Sequence, residues 1–83
     1  MYTVYAILSD FDGRIYVGFS TDVTNRLMQH NAGQTRSTKA YRPWQLIYEE
    51  QWPTRIEARK REKYLKGGSG KEFLKNMIKN DKV

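Results

Sequence analysis

The sequence predicts an α+β fold, a small three-stranded antiparallel sheet flanked by helices in the order β-β-α-β-α-α. Three observations carry this. Two runs rich in aromatic and β-branched residues, Tyr2 to Leu8 and Arg14 to Phe19, flank a turn cluster. Helix-start signals stand at Ser20-Thr21-Asp22, at Thr54 and at Ser69. One further extended run, Trp44 to Glu49, lies between the helical segments. At 83 residues the chain is expected to form a single domain, residues 1–83, with no linker, repeat or low-complexity segment.

Taken in order, Ser9-Asp10-Phe11-Asp12-Gly13 is the turn of a hairpin, with Asp-Gly as its clearest signal. Alternation sets Tyr5 on the face opposite Val4 and Ala6. It sets Tyr16 and Gly18 on the face opposite Ile15 and Val17. The helix from Val23 to His30 has an apolar row of Val23 and Leu27 and ends at Asn31-Ala32-Gly33. A polar loop, Gln34 to Tyr41, leads to Pro43 and the third strand. Thr54 and Glu57 have capping-box spacing at the start of the second helix, which ends at Gly67-Gly68. Ser69 and Glu72 repeat that spacing before a last helix whose apolar side is Phe73, Leu74, Met77 and Ile78. Asn80 to Val83 is expected to be a frayed tail.

Fifteen Lys and Arg against nine Asp and Glu give a net charge of +6. That excess suits a polyanionic partner such as nucleic acid, or is simply a basic soluble surface. With no cysteine, disulfides, Cys-based zinc sites and thiol nucleophiles are excluded. No apolar run is long enough to span a bilayer, and the N-terminus does not resemble a secretory signal, so the expected location is cytoplasmic and no membrane partner is expected.

Glu62 is the most informative side chain. Ala58, Glu62 and Leu65 share one helical face, so a carboxylate lies in line with core residues. A buried charge needs a cation or donors beside it. That cation is either a divalent metal or a neighbouring Arg59, Lys63 or Lys66. Tyr5 and Tyr16 can face each other across the hairpin, as cross-strand packing or as part of a site. Gly18 within the strand marks a place where a ligand or another backbone comes close. Arg26 and His30, four apart, project together and border the buried row, with Arg26 suited to phosphate oxygens. Arg36, Lys39 and Arg42 with Trp44 combine cations and an aromatic, the usual pairing for splayed nucleic acid. The alternative is a solvated loop with Trp44 in the core. Lys71, Lys75, Lys79 and Lys82 read as the solvated side of the last helix.

The order of these residues resembles the GIY-YIG nuclease family, particularly its small stand-alone members, from Tyr2 to about Ile78. Its two name-giving motifs correspond to Thr3-Val4-Tyr5 and Tyr16-Val17-Gly18. The helix arginine corresponds to Arg26 in Asn25-Arg26-Leu27, followed by His30-Asn31. Ser37-Thr38-Lys39 and Arg42-Pro43-Trp44 also match, and the metal-binding glutamate corresponds to Glu62. The first motif glycine is Thr3 here, a position that contributes backbone rather than reactive atoms. Asn76 stands near a further family asparagine but is left outside the core site.

The resemblance implies phosphodiester hydrolysis with one divalent metal, Mg2+ or Mn2+, held by Glu62. Arg26 would neutralise a nonbridging oxygen, Tyr5 would orient water or phosphate, and either Tyr16 or His30 would take the proton of the attacking water. No small-molecule cofactor is implied. The expected activity is endonucleolytic cleavage of DNA, with RNA still open. A basic surface without a DNA-reading module favours single-stranded or branched substrates over a long sequence. The alternatives are a non-catalytic nucleic-acid-binding module of the same fold and an interaction domain for an acidic protein.

Overall fold

The computed structural model describes residues 1–81. Its elements are β1 (Tyr2–Ser9), β2 (Ile15–Ser20), α1 (Val23–Asn31), a 3-10 turn (Lys39–Tyr41), β3 (Trp44–Trp52), α2 (Arg55–Lys66) and α3 (Gly68–Asp81). The expected order and the three-stranded antiparallel sheet are both present, with β1 central in the order β2-β1-β3. Gly13 supplies the positive φ that closes the hairpin, and the Ser9 hydroxyl accepts from the backbone N–H of Phe11 and Asp12.

Period-two alternation sorts the sheet into two packed faces. One face carries Val4, Ala6 and Val17 against Ala58 and Leu65 of α2 and Leu74 of α3. The other carries Tyr5, Ile7 and Trp44 with Tyr16, against Val23 and Leu27 of α1. The two helical layers therefore approach opposite faces of one thin sheet.

α1 begins where the Asp22 side chain accepts from the Asn25 N–H. At its other end the Asn31 amide donates to the Trp44 carbonyl and accepts from the Trp44 N–H, fastening α1 to the start of β3. At α2 the Thr54 hydroxyl accepts from the Glu57 N–H and donates to the Glu57 carboxylate. β3 runs three residues beyond its expected end at Glu49, because Glu50 and Trp52 still pair with Val4 and Tyr2 of β1. Glu50 also accepts from Tyr48, Trp52 and Arg61, which ties β3 to α2.

Two expectations change at the C-terminus. α3 starts at Gly68 rather than after a Ser69 cap, since the Lys71 N–H already bonds the Gly67 carbonyl. The expected tail is helical at Asn80 and Asp81, and Lys82 and Val83 lie outside the described residues.

Gly70 explains the tight α2–α3 junction. A Cβ at Gly70 would stand 2.3 Å from both the Leu65 Cα and the Tyr64 carbonyl oxygen, which are backbone atoms. Gly70→Ala is expected to cost about 3 kcal/mol, the upper end of overpacking effects. Gly68 has nothing within 4 Å of such a Cβ, so Gly68→Ala is expected to be neutral or to stabilise by about 0.5 kcal/mol. Urea midpoints of the two variants measure the contrast.

Candidate active site

Strand pairing sets Tyr5 opposite Gly18, and Tyr16 opposite Ile7, on the face covered by α1. The missing side chain at Gly18 makes room for a phenol. A Cβ there would meet the Tyr5 hydroxyl oxygen at 2.8 Å and the Tyr16 ring at 3.3 Å. The close approach that Gly18 signals is therefore that of Tyr5. Gly18 itself is buried, which removes it from the expected nucleic-acid contacts.

His30 comes from the last turn of α1 and is completely buried. Its Nε2 lies 2.9 Å from the Tyr5 hydroxyl and its Nδ1 lies 2.8 Å from the Thr38 hydroxyl. Thr38 donates to the Thr35 carbonyl, so its oxygen accepts from His30 Nδ1–H. Nε2 is then the acceptor for Tyr5 O–H. One neutral tautomer satisfies the whole chain. Burial lowers the imidazole pKa to about 4, with the charge of Arg26 adding to the effect.

Tyr16 stands edge-on to the same imidazole, with ring centroids 5.1 Å apart. Unlike Tyr5 it is only half-buried. Burial pushes the Tyr5 phenol up to about 12. Tyr16 and Glu62 contribute to that rise, and the Arg26 guanidinium offsets part of it. Arg26 is half-buried and donates to the Gln29 side chain at 2.9 Å.

Glu62 arrives from α2, on the opposite layer, within the buried stripe Ala58, Glu62 and Leu65. Its carboxylate lies 3.3 Å from the Lys66 ammonium one turn on, and that lysine is half-exposed. Among the described residues no three His, Asp or Glu side chains gather into a metal cage. A mostly buried carboxylate paired, among the described residues, only with a half-exposed lysine fits a hard cation that keeps water and takes its remaining oxygens from phosphate.

The loop residues divide. Arg36 and Lys39 are exposed. Arg42 is exposed too, but its Nε donates to the Lys39 carbonyl and its guanidinium fills the space beside Gly33. Trp44 is only 4% exposed, its indole N–H donates to the Thr38 carbonyl, and its ring meets Tyr16 edge-on. It has no open face on which to stack a base, so it is a core anchor rather than the expected nucleic-acid contact. Thr38 was not singled out as a site residue from the sequence. A loop threonine carries no mark of burial, and its proximity to a histidine eight residues away depends on the loop's path.

The model of the GIY-YIG catalytic domain matches residues 1–76, and the chain belongs to the GIY-YIG family. This is a nuclease domain whose substrate is nucleic acid, and its members generally work with a divalent metal. A UPF0213 protein of Staphylococcus saprophyticus is 43% identical over 65 residues, covering 77% of this chain and 79% of the relative. A UPF0213 protein of Staphylococcus aureus is 45% identical over 56 residues, covering 66% and 68%. The solution NMR structure of a UPF0213 protein from Bacillus halodurans superposes with a TM-score of 0.53 at 30% identity, covering 93% of this chain and 85% of that one. No described helix is long and apolar enough to cross a membrane.

Proposed function

We propose that this chain is a metal-dependent endonuclease that hydrolyses DNA phosphodiester bonds and selects single-stranded or branched DNA. The observation that carries the reading is the match to the GIY-YIG catalytic domain over residues 1–76, supported by the contact of Tyr5, Tyr16 and His30 on the α1 face of the sheet.

Arg26 binds a nonbridging phosphate oxygen and offsets charge that grows as water attacks phosphorus. Tyr5 stays protonated, because burial holds its phenol near 12, and both nitrogens of His30 are engaged. Tyr16 is the phenol left with access to solvent, so it releases its own proton to solvent and, as the phenolate, accepts the proton of the attacking water. Tyr5 and His30 act behind it as positioning residues that hold the hydrogen-bonded wall of the site. A Mg2+ or Mn2+ ion held by Glu62 would supply positive charge to the phosphate and to the departing 3′ oxygen. Arg36, Lys39 and Arg42 add exposed cations for the strand on the α1 side.

The test is cleavage of single-stranded, nicked, flapped and duplex DNA, and of RNA, with Mg2+ or Mn2+. Wild-type protein is expected to cut single-stranded or branched DNA first. Glu62→Ala is expected to bind with unchanged salt dependence and to cut at least 100-fold more slowly, on the scale of losing one preorganised charge partner, about 10²–10³. Absence of cutting on every substrate, or equal cutting by Glu62→Ala, refutes the reading. The Glu62–Lys66 contact favours a second reading, a non-catalytic nucleic-acid-binding module in which that carboxylate is an ordinary ion-pair partner. Its signature is salt-sensitive binding, indifferent to chelator, with the product intact.

A further inference from the structure

Lys71, Lys75 and Lys79 recur every four residues on α3, so they form one stripe with a rise of about 6 Å per step. The stripe is exposed at Lys75 and Lys79, as the sequence alone leads one to expect, and half-buried at Lys71. It forms one wall of a groove of about 700 Å³ whose other wall is the β1–β2 turn at Gly13 and Arg14, with Ile15 and Ile78 among the apolar residues lining it.

Two of its cations are held in place. The Lys71 ammonium donates to the Ile15 carbonyl at 3.0 Å. The Arg14 guanidinium lies 3.4 Å over the Tyr41 ring. Among the described residues Asp12 is the one acidic side chain in the lining, and Arg14 already pairs with it at 2.7 Å. Lys75 and Lys79 are exposed along the wall. The lining among the described residues is thus four cations against one neutralised carboxylate.

Its location ties it to the phenol site. β2 is an edge strand, and its consecutive residues Ile15 and Tyr16 point to opposite faces. The groove and the catalytic phenol therefore flank the same free edge. We infer that the groove is a second subsite for the sugar-phosphate backbone of the substrate strand, engaged where that strand passes from Tyr16 around the edge of β2. A linear row of ammonium groups suits a linear polyanion. Phe11, 70% exposed at the tip of the same turn, offers an unpaired base a ring to stack on. That pairing selects a single-stranded segment over a closed duplex.

This inference rests on the nuclease reading, and strand length separates the two. Fluorescence anisotropy without metal is measured for single-stranded DNA of about four and about sixteen nucleotides, the span of known single-strand site sizes. The full chain is compared with its Lys75→Ala/Lys79→Ala double variant. The longer strand is expected to bind the double variant roughly tenfold more weakly, with a salt slope shallower by about 1.4, at about 0.7 per lost phosphate contact. Binding of the short strand and its cleavage with Mn2+ are expected to be unchanged. Equal losses at both lengths, or no loss at either, overturn the subsite. Inorganic polyphosphate is the control for a free polyanion. If it binds as tightly as the long strand and loses affinity equally in the double variant, the groove is not a substrate-strand site. If the wild type cuts neither length nor any nicked, flapped or duplex substrate, the nuclease reading fails, while the length dependence of binding still decides the groove.

Discussion

Tyr16→Phe is expected to slow single-turnover cleavage by about 10²–10⁴, the range for loss of a general base, with stability and affinity for an uncut strand unchanged. The expectation follows from the different settings of two phenols on one face. Tyr16 is half-buried and meets His30 only through ring edges. Removing its hydroxyl leaves no buried group without a partner. Tyr5→Phe makes the same chemical change with a different result. It strips the donor from His30 Nε2 at a fully buried position, at a cost of about 1–3 kcal/mol. Thermal unfolding beside the rate measurement separates the two. A Tyr16→Phe protein that cuts at the wild-type rate, or a Tyr5→Phe protein of full stability, contradicts the assignment.

Much of this arrangement was legible because it depends on short-range periodicity. Strand alternation is enough to put Tyr5, Tyr16 and Gly18 on one face, and helical spacing is enough to put Glu62 in line with Ala58 and Leu65. The caps at Asp22 and Thr54 are local hydrogen bonds and are equally readable. The misread residues are those whose role is fixed by a distant partner. An aromatic after a basic loop looks alike whether it waits for a base or enters the core, and Trp44 is settled by the Thr38 carbonyl. Gly70 carries no signal until α2 and α3 are seen to touch backbone to backbone. The α3 lysines have a solvated pattern, yet Lys71 bonds a carbonyl on a strand 56 residues away. The sequence leaves the proton acceptor open between Tyr16 and His30 for the same reason. Only the path of the 34–41 loop brings Thr38 to the second ring nitrogen.

The burial of His30 also makes the fold sensitive to acid. In the unfolded chain His30 has its ordinary pKa of 6.5, and in the folded chain burial lowers it to about 4. Between those values the unfolded state binds the proton and the folded state does not, so stability falls as pH falls through this window. The expected loss is roughly 2 kcal/mol between pH 6.5 and 5, at about 1.4 kcal/mol per unit. Protonation would turn Nε2 from acceptor to donor and break the Tyr5 hydrogen bond. Glu50 acts lower on the scale. Burial raises the Glu50 pKa, but hydrogen bonds from Tyr48, Trp52 and Arg61 outweigh it and hold it below its ordinary 4.5. Its stabilisation is complete above that value and is lost only as pH drops beneath it. Urea unfolding at steps between pH 7.5 and 5 isolates the histidine. His30→Gln keeps an acceptor for Tyr5 and has nothing to titrate, so its stability is expected to stay flat across the window while the wild type declines. Parallel curves for the two proteins would mean that the buried imidazole is not the group responsible.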